Sequence, residues 1–350
     1  MKTLPLQKPP EKILIIKPSA LGDIVHTLPF LDNIKRCYPN ASIHWAVARG
    51  LHTFLEGHPL IDHLWIVDKD RWKQLGNLKQ TIREITAFTK GLRKERFDVS
   101  IDLSGLLRSG LITLAANAKY KLGFKEAGEG STFFYTHRIH GSMKIHAIDR
   151  YLKIAEAMGC QTDSINYPFA PYEENPAICN DLPKEYVVMT PSAGKKANRW
   201  PAERFGQLAA KLEIPTLLIG GNSDKLVADE VVKYSEGKAI SLAGKTSLKE
   251  LVPIISKAKY FITNDTGPMH IAAALKVPVF AIFGPANPIR TGPYGENNTV
   301  IREELSCSPC YAWKPCANWQ CMMNITVEKV LAIIKGKDLA AESHPKEKQE

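Results

Sequence analysis

The hydrophobic pattern along the chain alternates between short apolar runs and longer segments with a helical period. Residues 12–17 (KILIIK) form an almost continuous apolar run, a turn follows, and residues 23–38 then repeat apolar side chains at helical spacing. A continuous apolar run of this length is typical of a strand buried on both faces, as in a parallel sheet. The pattern predicts a strand, a tight turn and a helix.

The same alternation continues through both halves of the chain. The first half predicts strands at 42–47, 63–67 and 98–103, and helices at 78–93 and 107–116. The second half predicts strands at 186–190, 216–219, 260–264 and 279–283, and helices that start at 202 and 224 and span 269–275. Strands that alternate with helices predict an α/β fold with parallel sheets.

A composition shift separates the two halves. Residues 160–184 are rich in Pro and Asn, which is typical of a linker, and a length of 350 residues favours two domains over one large core. We therefore place the first domain at 1–172 and the second at 173–335, followed by a polar tail at 336–350. Two such domains leave a cleft between them, and ligands of these sheets bind at the carboxyl ends of strands.

The formal net charge of +10 indicates an anionic partner. Nucleic acid, phospholipid headgroups and a phosphorylated substrate all fit, and charge alone does not choose among them. No apolar run approaches the roughly 18 residues of a membrane span, and prolines occupy the place of a signal peptide's apolar region. We therefore expect a cytoplasmic protein.

The turn after the first strand carries a carboxylate, Asp23, in the first turn of the following helix. One interpretation is a helix cap, because a carboxylate there accepts backbone N–H groups and complements the helix dipole. The other is a general base that takes the proton of an attacking hydroxyl. Gly22 fits both interpretations, since a turn of close approach favours a residue without Cβ.

A second polar turn follows the strand predicted at 260–264. Pro268 stands at the start of an Ala-rich helix, which leaves the backbone N–H groups of Thr266 and Gly267 free to bind an anion. Asp265 is suited to accept hydrogen bonds from a sugar. His270 lies one turn into the helix, where it either reaches a phosphate or packs in the core.

Several segments together resemble the signatures of glycosyltransferase family 9, the ADP-heptose:lipopolysaccharide heptosyltransferases. The segments are KILIIKPSALGDIVHTLP at 12–29, DLSGLLRS at 102–109, HAIDRYL at 146–152, NDTGPMHIAAAL at 264–275 and FGP at 283–285. They occur in the family's order across residues 12–334.

The resemblance implies an α/β fold of the GT-B type, with two Rossmann-like domains whose parallel sheets face a central cleft. The N-terminal domain would bind the acceptor and the C-terminal domain the nucleotide sugar, with inversion at the sugar carbon and no metal or cofactor needed for transfer. By the same resemblance, Asp23 is the catalytic base. The donor-binding residues are Asp265, Thr266, Gly267 and His270.

The loop at 191–201 (PSAGKKANRWP) looks like the family's donor-phosphate loop, which adds Ser192 to the donor side. Family members commonly carry a lysine two residues before the tryptophan, and here that residue is Asn198. Lys195 or Lys196 would then neutralise the charge of the leaving ADP. The alternative is a solvated basic loop.

The segment at 220–224 follows the strand predicted at 216–219, and Asp224 in this segment is a candidate to bind a ribose hydroxyl, or else the N-terminal acid of its own helix. On the acceptor side we expect Ser19, Gly22, Arg108 and Arg138. The last two belong to a set of basic residues that suits a phosphorylated acceptor or is simply a solvated face. The set comprises Arg108, Lys119, Lys121, Lys125, His137, Arg138, His140, Lys144 and His146.

Four cysteines lie close together near the C-terminal end, at spacings that a tetrahedral zinc or iron site accepts. They are Cys307, Cys310, Cys316 and Cys321. The alternative is four reduced thiols in a packed loop. A metal here would be structural, since the cysteines lie outside the proposed catalytic turn.

The resulting hypothesis is transfer of a heptose from ADP-heptose to a lipopolysaccharide inner-core acceptor, with peripheral contact to the cytoplasmic face of the inner membrane. The nearest alternative keeps the fold and changes the sugar, or changes the acceptor to one such as a protein. A nucleic-acid-binding protein is an alternative of another class, but no nucleic-acid motif supports it and we expect no such partner. A catalytically silent sugar-nucleotide binder is the third alternative.

Overall fold

The computed structural model describes residues 6–68, 71–72, 78–172 and 174–343. The chain divides into two compact units, with the division after Tyr172. Each unit is built on one six-stranded sheet in which all the strand pairs are parallel. The predicted α/β fold with two parallel sheets is confirmed.

The first unit has the strand order β3-β2-β1-β4-β5-β6. Its strands are β1 (Lys12–Ile16), β2 (Ser42–Ala48), β3 (His63–Val67), β4 (Val99–Asp102), β5 (Tyr120–Phe124) and β6 (His137–Ile139). Its helices are α1 (Leu21–Cys37), α2 (Leu78–Glu95), α3 (Leu107–Ala116) and α4 (Ala147–Ala157). β1 lies in the middle of the sheet, which is why Ile13, Leu14, Ile15 and Ile16 are fully buried.

The second unit repeats this order as β9-β8-β7-β10-β11-β12. Its strands are β7 (Val187–Thr190), β8 (Thr216–Leu218), β9 (Ala239–Ser241), β10 (Phe261–Asn264), β11 (Val279–Phe283) and β12 (Thr299–Arg302). Its helices are α5 (Pro176–Cys179), α6 (Ala202–Lys211), α7 (Lys225–Lys233), α8 (Leu251–Ser256), α9 (Gly267–Ala274), α10 (Pro288–Thr291), α11 (Gln320–Met323) and α12 (Val327–Ser343).

The sequence pattern predicts the edge strand β3 but misses four other strands in the outer parts of the two sheets. β5, β6, β9 and β12 are short and lie towards or at the edges, where alternation is weak and burial incomplete. The expected polar tail starts at 336, but α12 continues to Ser343, and residues 344–350 lie outside the described residues. Among the described helices, none has the length and apolar character needed to cross a membrane.

Candidate active site

The strand order of both sheets locates a binding crevice. In each sheet the chain first builds outward on one side, as β1-β2-β3 or β7-β8-β9, and then returns to the other side of the first strand. Loops that leave two neighbouring strands at such a reversal diverge to opposite faces of the sheet and leave a ligand crevice at the carboxyl edge. The crevices lie at β1 and β4 in the first unit and at β7 and β10 in the second.

Asp23 lies at the first of these crevices, in the first turn of α1. Its Oδ2 accepts the backbone N–H of Ala20 at 3.0 Å, so it caps the start of the helix. Its Oδ1 lies 3.2 Å from Nζ of Lys17 and accepts the hydroxyl of Tyr151 at 3.1 Å. The side chain stays 36% exposed. Asp23 is therefore both the cap and an accessible carboxylate, and the two interpretations of the sequence are compatible.

The three groups around Asp23 shift one another's protonation. Burial by itself would raise the pKa of Asp23, but the Lys17 ammonium beside it lowers the pKa below its ordinary value. Burial together with the Asp23 carboxylate raises the pKa of Tyr151 to about 12. The pKa of Lys17 is raised, because Asp23 and Tyr151 outweigh the effect of burial. At neutral pH the cluster holds an ionised carboxylate, an ammonium and a neutral phenol.

Lys17 and Tyr151 contact Asp23, and the sequence reasoning did not single out either residue. Lys17 follows β1 directly, is 5% exposed and donates to the carbonyl of Leu103 at 3.3 Å. Tyr151 lies on α4, which packs against α1. One signal was available, because a lysine that ends an otherwise apolar buried strand must find a counter-charge. No comparable signal identifies Tyr151.

The structure separates the predicted acceptor residues. Ser19 and Gly22 lie in the turn that carries Asp23. Arg108 is exposed in the first turn of α3, after β4, where the buried Asp102 accepts the backbone N–H groups of Ser104 and Gly105.

Arg138 lies instead on the edge strand β6 and donates to the carbonyl of Thr132 at 3.1 Å. Arg138 lines a cavity of about 700 Å³ that Arg108 does not line, and His137, His140 and Lys153 also line this cavity. Lys119, another member of the basic set expected from the sequence, precedes β5 and donates to the side chain of Gln7. The basic residues of the first unit therefore do not form one wall.

In the second unit, Asn264 joins the two loops of the crevice. Its side-chain amide donates to the carbonyl of Pro191 at 2.7 Å, and its Oδ1 accepts the backbone N–H of Trp200 at 2.9 Å. Next to it, Nδ2 of Asn198 donates to Oδ2 of Asp265 at 2.9 Å. The loop at 191–201 and the turn at 264–267 thus form a single polar surface.

This pairing leaves Asp265 without a strong cationic partner. Burial raises the pKa of Asp265 to about 6, and the charge of Lys195 offsets only part of that rise. Lys195 is half-buried, with its Nζ 5.0 Å from the centre of the Trp313 ring, whereas Lys196 is exposed at the start of a short 3-10 helix. The structure therefore distinguishes the two lysines, and Lys195 is the one that faces the polar turn.

The remaining donor candidates are Ser192, the start of α9 with His270, and Asp224. Ser192 is 4% exposed and its hydroxyl has no hydrogen-bond partner within the described residues, as expected of a group that a ligand satisfies. Thr266 and Gly267 form the N-terminus of α9, and His270 is buried one turn further on. Asp224 accepts the backbone N–H of Gly221 at 2.8 Å and closes the short 3-10 turn at 222–224; it directly precedes α7 but makes no side-chain capping bond to that helix.

The cysteine segment contacts the donor loop. Cys307, Cys310 and Cys316 are exposed and Cys321 is buried, and no group of three or more metal-ligating side chains is assembled in the part of the chain that is described. The thiols of Cys307, Cys310 and Cys316 lie near enough to raise the pKa of Cys321 together with burial, and the predicted zinc or iron site stays a prediction. The segment does brace the loop, because Trp319 Nε1 donates to the carbonyl of Ala197 at 3.0 Å.

The raised pKa of Asp265 makes a prediction for stability. A carboxyl whose pKa is higher in the folded chain binds its proton more tightly when folded, so its contribution to stability falls as pH rises from about 4 to above 6. Asp265→Asn keeps an acceptor for Asn198 and removes the charge. We expect the variant to gain on the order of 2 kcal/mol over the parent at pH 7.5 and almost nothing at pH 4.

Urea unfolding of parent and variant across this pH range measures the difference. Asp229→Asn, which changes an exposed carboxylate on α7 of the same unit, is the matched control and should show no such pH dependence. A gain from Asp265→Asn that is the same at both ends of the range would contradict the assignment.

Comparisons with known proteins show which family the chain resembles. The family model for glycosyltransferase family 9 (heptosyltransferase) matches residues 85–319. Lipooligosaccharide heptosyltransferase 2 of Campylobacter jejuni is 29% identical over 95% of this chain and 99% of its own length. Lipopolysaccharide heptosyltransferase 1 of Escherichia coli is 27% identical over 83% and 93%.

A comparison with solved structures also covers most of the chain. The structure of E. coli heptosyltransferase WaaC with ADP-2-deoxy-2-fluoro heptose covers 93% of this chain and 99% of its own, with a TM-score of 0.74 and 24% identity. The GT-B fold and the glycosyltransferase activity expected from the sequence are confirmed. Because the family model matches more than half of the 350 residues, the chain belongs to glycosyltransferase family 9, the heptosyltransferases.

Proposed function

We propose that this glycosyltransferase moves a heptose from ADP-heptose to a lipopolysaccharide inner-core acceptor, with Asp23 as the general base. The names of the curated relatives support the sugar and the acceptor class, and the ADP-heptose analogue in the WaaC structure supports the donor. The observation that carries the proposal is the carboxylate of Asp23, which is held ionised by Lys17 at the carboxyl edge of the first sheet and remains open to solvent.

The proposed reaction is a single displacement. An acceptor hydroxyl oxygen attacks the anomeric carbon of the heptose, its proton passes to Asp23, and the bond between that carbon and the ADP oxygen breaks with its electron pair. Attack and departure on opposite faces invert the configuration of the carbon. Lys17 keeps Asp23 ionised and therefore able to accept the proton at neutral pH.

The second unit supplies positive charge for the leaving ADP. Lys195, the N-terminus of α9 at Thr266 and Gly267, and the unpaired hydroxyl of Ser192 all lie at the β7–β10 crevice. An ammonium group and oriented backbone N–H groups stabilise the developing phosphate charge, which is the work that a divalent metal does in other transferases. We accordingly propose that transfer needs no metal.

A phosphorylated acceptor fits the first unit. Arg108 follows β4, whereas Arg138, His137 and His140 line the cavity beside β6. Guanidinium groups bind phosphate with two parallel hydrogen bonds, so they suit phosphate groups on a sugar core.

Replacing the base tests the function directly. We expect Asp23→Asn to lower the rate of acceptor-dependent ADP release by about 10²- to 10⁴-fold, because the amide cannot take the proton. The measurement uses purified chain, ADP-heptose and a truncated lipopolysaccharide acceptor. Asp163→Asn, an exposed acid of the same unit, is the control and should keep the parental rate.

The outcomes separate the alternatives. Retention of more than a tenth of the rate in Asp23→Asn would remove Asp23 from the role of base. Binding of ADP-heptose by the parent without any release would point to another acceptor, such as a protein, or to a silent binder.

The two lysines of the donor loop give a matched pair of variants. Lys195→Ala should lower kcat/KM for ADP-heptose by about 10- to 100-fold, the usual effect of losing one charge-assisted hydrogen bond. Lys196→Ala should stay within about twofold, because its side chain is exposed. Steady-state kinetics with varied donor measures both values. Equal losses in the two variants would contradict the assignment of Lys195.

A further inference from the structure

Two neighbouring helices of the first unit, α2 and α3, leave large apolar side chains in solvent. On each helix the exposed positions follow the spacing i, i+4 and i+7, so they line one face. They are Leu78, Ile82 and Ile85 on α2, and Leu107, Leu111 and Leu114 on α3, each 41–59% exposed. Single exposed leucines are ordinary, but two adjacent stripes on packed helices need an explanation. We call these six residues the α2–α3 surface.

The two stripes meet at a shared apolar cavity. Ile85 and Leu111 both line a cavity of about 210 Å³, together with Phe88, Ala115 and Pro18. The cavity therefore opens between the exposed stripes. Its size and lining suit an apolar chain segment better than a polar ligand.

The charges beside the α2–α3 surface are almost all positive. Six exposed cations on α2 and α3 take part in no ion pair among the described residues: Lys79, Arg83, Lys90, Arg93, Lys94 and Arg108. The two acids of α2 are already engaged, since Glu84 pairs with Arg71 and Glu95 with Lys12. The helices thus combine exposed apolar stripes with an unneutralised positive charge.

We propose that the α2–α3 surface docks the chain on an anionic phospholipid bilayer. Helices that present apolar side chains flanked by lysine and arginine lie in the headgroup region, where the apolar groups leave water and the cations meet lipid phosphates. A soluble protein partner would match the apolar stripes but not the excess of six cations unless it were itself strongly acidic. Charge complementarity therefore favours the lipid surface.

The location of the surface connects docking with the chemistry. Pro18 lines the cavity and directly follows Lys17, the ion-pair partner of Asp23. An acceptor anchored in a bilayer by its acyl chains would be presented at the same edge of the sheet as the base. This connection rests on the proposed function, whereas the docking itself does not.

Sedimentation of the full chain with vesicles tests the docking. We expect binding to phosphatidylcholine vesicles that contain phosphatidylglycerol, and much weaker binding to pure phosphatidylcholine. The double variant Ile85→Asn with Leu111→Asn should weaken binding to the anionic vesicles by about tenfold or more, because two apolar side chains no longer leave water. Arg83→Gln with Lys90→Gln should weaken binding by about tenfold or more and reduce its salt dependence.

Matched controls come from the second unit. Leu226→Asn changes an 83% exposed leucine on α7, and Lys335→Gln changes an exposed lysine on α12. Both should leave vesicle binding within about twofold of the parent. Equal losses in the control variants would show adsorption that is not specific to the α2–α3 surface and would overturn the proposal, as would full binding by the Ile85 and Leu111 variant.

A second readout guards against misfolded variants. Trp72 lines the cavity, so lipids brominated in their acyl chains should quench part of the parent's tryptophan fluorescence, and Trp72→Phe should lose that part. Unchanged quenching in Trp72→Phe would contradict docking at this surface. Loss of self-association in the Ile85 and Leu111 variant, without any vesicle binding by the parent, would assign the surface to a second copy instead.

Discussion

The ammonium of Lys17 is almost fully buried behind the first strand, and Asp23 provides the negative charge that makes this burial tolerable. An unpaired charge at such a place would cost several kcal/mol. The constraint involves more than two side chains, because Asp23 also caps the first turn of α1 and accepts the hydroxyl of Tyr151 on α4. Strand, turn and two helices are therefore oriented around one carboxylate, which stays ionised and accessible.

The second crevice is built on neutral groups instead. Asn264 joins the two loops through its amide, and the amide of Asn198 donates to Asp265. A neutral amide does not compensate the burial of Asp265, and the raised pKa of this carboxyl is the result. Lys195, which we propose supplies positive charge for the donor, lies against Trp313 of the cysteine segment.

The sequence predicted the central strands and the turns that carry Asp23 and Asp265, since buried parallel strands and helix starts have strong local signals. It did not predict Tyr151, because that residue reaches Asp23 only through the packing of α4 on α1. It grouped Arg108 with Arg138, although the two line different cavities. Sequence distance and charge carry no information about which edge of a sheet a side chain reaches.

The ion pair is tested most directly by the pH dependence of sugar transfer in Lys17→Met. Without the ammonium, Asp23 keeps its hydrogen bonds from Ala20 and Tyr151 but loses the largest effect that opposes burial, so the pKa of its carboxyl rises. The account predicts that the acidic limb of kcat/KM moves to higher pH in the variant and that activity recovers as the pH increases. An acidic limb at the same pH as in the parent, with activity merely scaled down, would contradict a Lys17 that acts by holding Asp23 ionised.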